Sequence, residues 1–199
     1  ERKSVAVISK KEFKFCWREL DARLKAFLIF SFIFTLGNSS NQFLLLRAKQ
    51  LGNPLTTVLL MYLVYNLVYA ASSYPAARLS DKIGRRNIII AGYLCYAVVY
   101  CAVAFTTKVH SFWVLFAVYG LYMGFTDGVE KALLADVAPV NLKATVLGMH
   151  AAIVGLGLFP ASFIAGILWK YIGPQGAFLF GAFMSGVACI GFWRVLKNT

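Results

Sequence analysis

The chain has 199 residues, of which 60% are hydrophobic and only 14% charged, with a formal net charge of +12 and a mean hydropathy of +0.70. Soluble domains carry roughly a quarter charged residues, so this composition excludes a water-facing fold, and with it a soluble enzyme or a nucleic-acid-binding domain as the reason for the positive charge. The bilayer is the implied solvent, with Lys and Arg gathered at the cytoplasmic ends of membrane spans and against anionic lipid.

Residues 1–25 hold eight of the twenty basic side chains. Phe13, Trp17, Leu20 and Leu24 recur there at helical spacing, with Lys14, Arg18, Arg23 and Lys25 between them. The pattern predicts an amphipathic helix lying on the cytoplasmic interface; a disordered linker is the alternative. The sequence opens at Glu1 without a signal-peptide pattern and reads as a segment of something longer.

Six apolar runs follow, at about 26–46, 54–80, 87–106, 112–138, 144–169 and 176–195. Each is long enough to cross a bilayer as a helix at ~1.5 Å per residue, so the fold class is all-α and polytopic. The second, fourth and fifth have length to spare for tilting or bending. Turn residues mark the links at Gly52-Asn53-Pro54 and Gly173-Pro174. With both termini inside, sixteen basic residues fall on the cytoplasmic side and four (Arg47, Lys49, Lys108 and Lys170) on the other. That asymmetry sets the orientation. Cys16, Cys95, Cys101 and Cys189 show no metal-type spacing and read as small buried hydrophobes, so no metal or cofactor is expected.

A weak internal repeat appears at a shift of 87 to 88 positions: residues 37–48 lie over 124–135, and Thr57-Val58-Leu59-Leu60-Met61 over Thr145-Val146-Leu147-Gly148-Met149. An odd number of spans separates the copies, so the second is inverted, giving a 3+3 arrangement. Between the second and third runs stands a short charged link, Ala77-Arg78-Leu79-Ser80-Asp81-Lys82-Ile83-Gly84-Arg85-Arg86. Its pattern closely resembles the signature loop of the major facilitator superfamily of secondary transporters, with Ala77 where that family usually has Gly. Residues 124–139 and Lys143-Ala144-Thr145-Val146-Leu147-Gly148 are similar to the tenth span and following loop of bacterial members, with Lys143 where relatives often have Arg; residues 38–48 are similar to the seventh. The resemblance implies that residues 26–199 are helices seven to twelve, the C-terminal half of a twelve-helix inner-membrane transporter built as a 3+3 inverted repeat. It further implies that Asp81 meets the positive end of the fifth span near Thr145 as a conformational latch, with Gly84 permitting the turn and Arg85 reaching a carboxylate, Asp136.

The costly residues lie mid-span. Counted from Phe112, Asp127 falls ~22 Å along the fourth run, near mid-membrane, where charge faces a bundle interior or a watery cavity. Asp127 and Glu130 share a helix face, and Lys131 is placed at i+4 to pair with Asp127. Either these form a structural ion pair, or one carboxylate binds proton or substrate, with Glu130 preferred because Lys131 neutralises Asp127. Asn38, Ser39, Ser40, Asn41 and Gln42 put five polar side chains in the first span; Asn38, Asn41 and Gln42 are the expected cavity members, the rest helix-to-helix contacts. Asn66 and His150 are lone polar groups, the histidine either structural or a proton relay, and Tyr65 and Tyr69 line the cavity or face lipid. Gly148, Ala151, Ala152 and Gly155, with Gly157 and Pro160 beyond, predict close packing and a bend in the fifth span.

Three functions are weighed. The first is half of a secondary transporter that moves a small solute by alternating access with proton coupling, its partners the lipid and an N-terminal six-helix half. The second, an intramembrane enzyme, needs a metal or nucleophile constellation that two separated histidines, His110 and His150, do not supply. The third is a six-helix membrane protein that acts as a homodimer or binds a partner without transport of its own.

Overall fold

The computed structural model describes residues 20–195. Seven helices follow one another: α1 (Ala22–Gly37), α2 (Gln42–Gln50), α3 (Leu55–Ile83), α4 (Arg85–Phe105), α5 (Ser111–Val137), α6 (Lys143–Tyr171) and α7 (Pro174–Val195). Among the described residues there is no strand. Five helices, α3 to α7, are long and apolar enough to cross a membrane. In hydrocarbon each backbone N–H and C=O must find its partner within the protein, and continuous helices achieve this segment by segment. The expected amphipathic helix lies outside the described residues except for its end, where residues 22–25 already belong to α1, capped by the Asp21 carboxylate on the Ala22 amide at 2.7 Å.

The runs expected at 54–80, 87–106, 112–138, 144–169 and 176–195 correspond to α3 through α7 to within one helical turn. The first does not. Instead of one span over 26–46, the helix stops at Gly37 and restarts at Gln42. Asn38, Ser39, Ser40 and Asn41 have side chains that compete for backbone hydrogen bonds, which favours termini over helix interiors. The Asn38 amide donates to Phe34 and Thr35 oxygens at 3.0 Å, and the Ser40 hydroxyl accepts from the Gln42 amide at 3.3 Å. Irregular backbone is tolerated at this depth when protein covers it: Tyr96 donates its hydroxyl to the Gly37 carbonyl at 2.8 Å, and Tyr119 donates to Asn41 Oδ1 at 2.8 Å.

A second correction concerns the charged link. It is not a ten-residue loop, because α3 continues through Arg78, Asp81 and Lys82 to Ile83 and α4 begins at Arg85. Gly84 alone makes the turn, at φ +90°, a left-handed conformation that a Cβ disfavours.

α5 packs along α3 and α4, α4 along α7, and α7 with α1 and α6. The core is aromatic: Phe34 stacks on Tyr93 with centroids 3.8 Å apart, Tyr96 on Tyr100 at 4.0 Å, and Tyr119 and Tyr122 fill the space beside them. Helices approach closely where α5 presents Gly120 and Gly124 to α3 and where Gly37 of α1 meets Gly181 of α7; a Cβ on Gly120 would sit 2.6 Å from the Tyr65 carbonyl oxygen, and one on Gly181 2.6 Å from the Gly37 carbonyl oxygen. The expected close-packing positions of α6 do not serve that purpose, since a Cβ at Gly148 or Gly155 would meet nothing within 4 Å. Only Gly157 there is tight, against Thr35 and Phe32 of α1. Of the cysteines read as buried, Cys189 is buried and Cys95 half-buried, whereas Cys101 is exposed on the outer face of α4; Cys16 lies outside the described residues. An unbranched apolar run carries no mark of which face turns outward, so spacing alone could not place Cys101.

Candidate functional site

A single turn of α5 concentrates the intramembrane charge. Because α5 runs unbroken through Thr126, Asp127, Glu130 and Lys131, helical geometry puts Lys131 one turn above Asp127, and Lys131 Nζ lies 2.7 Å from Asp127 Oδ1. The other carboxylate oxygen is occupied as well: Tyr69 of α3 donates its hydroxyl to Asp127 Oδ2 at 2.7 Å. Asp127 therefore holds a cation and a phenol at once and ties α5 to α3.

Glu130 points the other way, towards α6. Its carboxyl is 13% exposed, and its Oε2 lies 3.6 Å from Nε2 of His150. His150 is itself 7% exposed, beside the ring of Phe27 at 6.1 Å. The Tyr93 hydroxyl, from α4, and the Ser31 hydroxyl, from α1, are buried near this pair and have no hydrogen-bond partner among the described residues; nor has His150 Nε2.

Both groups open on one cavity of about 600 Å³ bounded by α1, α4, α5 and α6. Asn38, Asp127, Glu130, Lys131 and His150, of the residues expected at a site, line it. Asn38 also donates to the Tyr122 hydroxyl at 3.2 Å. Three expected members do not. Asn41 is turned to Tyr119, Gln42 faces a separate groove between α2 and α3, and Asn66 is exposed on α3, donating to the Tyr62 carbonyl one turn back at 2.7 Å. The displacement of Asn41 and Gln42 follows from the break after Gly37, which re-aims the side chains just beyond it; Asn66 lies on a face of α3 turned away from the cavity. Tyr65 is buried against Tyr119 at 5.3 Å and does not face lipid.

At the ends of α3 and α5, Arg85 bridges two acids, with Asp136 at 3.0 Å and Asp81 at 3.6 Å. Asp81 is 68% exposed and makes no hydrogen bond to the start of α6 near Thr145 among the described residues. Gly84 is the turn beside it.

Tyr93 and Ser31 are not among the site members the sequence predicts, and Tyr69 enters there only as lining. The signal was the spacing of tyrosines at 62, 65 and 69, at 93, 96 and 100, and at 119 and 122, which sets each group on one helix face. In an apolar run these read as filler until a neighbouring helix gives the hydroxyls something to bind.

A cluster of charges inside a multi-pass helical bundle, a cavity at that depth and a charged helix turn coincide with one family description. Residues 26–199 match the family model described as Major Facilitator Superfamily. The chain belongs to that superfamily. It is 37% identical over 174 residues to an uncharacterized MFS-type transporter of Methanocaldococcus jannaschii, covering 84% of this chain and 44% of the relative. It is 28% identical over 124 residues to the multidrug transporter MdfA of Edwardsiella piscicida, covering 61% of this chain and 30% of that protein. It is 24% identical over 157 residues to the class B tetracycline resistance protein of Escherichia coli, covering 77% of this chain and 38% of that protein. The chain thus spans less than half the length of these relatives. Superfamily members are transporters and not enzymes, which removes the intramembrane-enzyme reading.

Proposed function

We propose that this chain is the C-terminal six-span half of a secondary transporter that moves a small solute across the inner membrane by alternating access, coupled to protons. The observation that carries the proposal is the cavity of about 600 Å³ that holds Asp127, Glu130, Lys131 and His150 inside the apolar bundle. Ionisable groups at such depth are expensive and are retained where they bind an ion or a substrate. In this reading Asp127 is the fixed charge, since Lys131 and Tyr69 hold both its oxygens. Glu130 is the group free to take and release a proton, with His150 as its neighbour.

The broken first span, α1 and α2, supports alternating access, since discontinuous helices near the midplane let one half of a span move without the other. The two triplets, α1 to α4 and α5 to α7, are the inverted repeat of this proposal, and both termini are cytoplasmic. Arg85, Asp81, Asp136 and Gly84 form the latch on that side. The partner is a further six-helix unit, either an N-terminal half or a second copy, that covers α3 and α6; these bury the least surface of the five long helices. The multidrug and tetracycline-resistance relatives support a small organic solute.

The test is proton flux through the intact transporter in proteoliposomes. Glu130→Gln abolishes substrate-driven proton movement, and Asp127→Asn reduces it. Full coupling in both variants overturns the proposal.

A further inference from the structure

Resting on the reading of this cavity as the transport site, we infer that the Glu130 wall of the cavity is a subsite for the ammonium head of an amphipathic organic cation. Three observations meet there. The first is charge: Asp127, Glu130 and Lys131 give the lining a formal balance of one negative charge. Asp127 is already engaged by Lys131 and Tyr69, so the carboxylate without a permanent cation in contact is that of Glu130, which has His150 at 3.6 Å.

The second is hydrogen-bonding capacity around Glu130 that the protein does not fully satisfy. Ser31 Oγ, Tyr93 Oη and His150 Nε2 line the same cavity, belong to residues 2%, 0% and 7% exposed, and have no partner among the described residues. They come from α1, α4 and α6, so no single helix created the gap by accident of its own spacing. Buried polar atoms are rarely left unpaired, because the lost hydration is then not replaced. Each of the three can accept a hydrogen bond, as can the Glu130 carboxylate, and a primary ammonium brings three donors and no acceptor. A carboxylate or phosphate ligand could accept from the two hydroxyls but would meet Glu130 with like charge.

The third is the surface around the polar group. Phe34 stacks on Tyr93 at 3.8 Å and packs beside Tyr122 at 5.9 Å, and all three rings line the cavity. Aromatic faces attract an ammonium and suit the body attached to it. Leu147, Val154 and Leu158 line the same cavity and offer that body an apolar surface. The volume falls in the range that takes a drug-sized molecule.

The probes are phenethylammonium, phenethyl alcohol and phenylacetate, matched in body and different in head group. Binding is measured by calorimetry on the full-length protein in nanodiscs, with empty nanodiscs subtracted. The ammonium binds more tightly than the alcohol by about tenfold or more, the scale of a hydrogen bond to a charged group, and phenylacetate binds more weakly than either. Glu130→Gln brings ammonium and alcohol to equal affinity. Tyr93→Phe, which keeps the ring and the fold, weakens the ammonium several-fold, and circular dichroism verifies that both variants are folded. Equal binding of the three probes, preference for the alcohol or the carboxylate, or ammonium preference surviving in Glu130→Gln overturns the inference. If Glu130→Gln abolishes proton coupling while the ammonium shows no preference, the cation subsite falls and the transport reading stands. If ammonium preference depends on Glu130 while proton coupling survives its loss, the subsite stands and the coupling role falls.

Discussion

Gly120 is a position at which a single methyl group has no room. An alanine Cβ there would lie 2.6 Å from the Tyr65 carbonyl oxygen, 3.0 Å from Val68 Cβ and 3.1 Å from the Tyr69 amide nitrogen. Two of these neighbours are backbone, so no rotamer change relieves them. Restoring ordinary contact at 3.4 Å moves α3 and α5 apart by about 0.8 Å. A gap of that size forfeits a quarter to a half of the dispersion energy of the atom pairs it opens, and overpacking of this kind costs about 1–3 kcal/mol. The Tyr69 backbone moves with α3, so its hydroxyl loses the 2.7 Å bond to Asp127. Gly120→Ala is therefore destabilised by about 1–3 kcal/mol in SDS titration from mixed micelles. Gly148→Ala, whose Cβ would meet nothing within 4 Å, is unchanged or stabilised by up to about 1 kcal/mol, since alanine restricts the unfolded chain. Equal midpoints and slopes for the two variants would refute the reasoning.

Two further outcomes follow from other contacts. Tyr96→Phe removes the hydroxyl bonded to the Gly37 carbonyl at 2.8 Å; because the Ser39 amide also reaches that oxygen at 3.1 Å, the loss is about 0.5–1.5 kcal/mol. It appears as faster amide exchange at Ser39 and Ser40, and unchanged exchange would show that the break does not depend on Tyr96. Arg85→Gln breaks ion pairs whose acids, Asp81 and Asp136, are 68% and 59% exposed, so stability falls by less than about 1 kcal/mol. Its effect is on the balance of inward and outward states, read as spin-label distances across the cytoplasmic face of the intact transporter; a distribution identical to that of the unsubstituted protein speaks against a latch.

The long helices were legible because their signals are local. Pro54, Gly84 and Gly173 punctuate runs whose hydropathy needs no tertiary context, and the Asp127–Lys131 pair follows from i, i+4 spacing within one helix. The first span was misread for a related reason. Apolar residues on both sides of Asn38–Asn41 carry the hydropathy across, while the event that breaks the helix is competition for backbone amides, which a hydropathy count does not register. The proximity of Glu130 and His150 depends on how α5 and α6 pack, and the convergence of Tyr93 and Ser31 on that place depends on two more helices. None of it is written in the spacing of any one segment. The same holds for glycine: Gly148 and Gly155 sit at a spacing that suggests close contact, yet tight crossings fall elsewhere, as at Gly120 and Gly124, which lie opposite the part of α3 that carries Tyr65, Tyr69 and Ser72.

One residue, Gly84, separates a helix of 29 residues from one of 21. There is no slack in such a joint. A rod of that length is ~43 Å long, and tilting it by about 10° around its middle swings its tip by about 4 Å. The tip of α4 has to travel with it or the joint must open. Displacement of α3 at the membrane surface is thereby handed directly to α4, the helix that carries Tyr93 and Tyr96, so the lining of the cavity and the seat of the broken span are geared to whatever moves the outer rod.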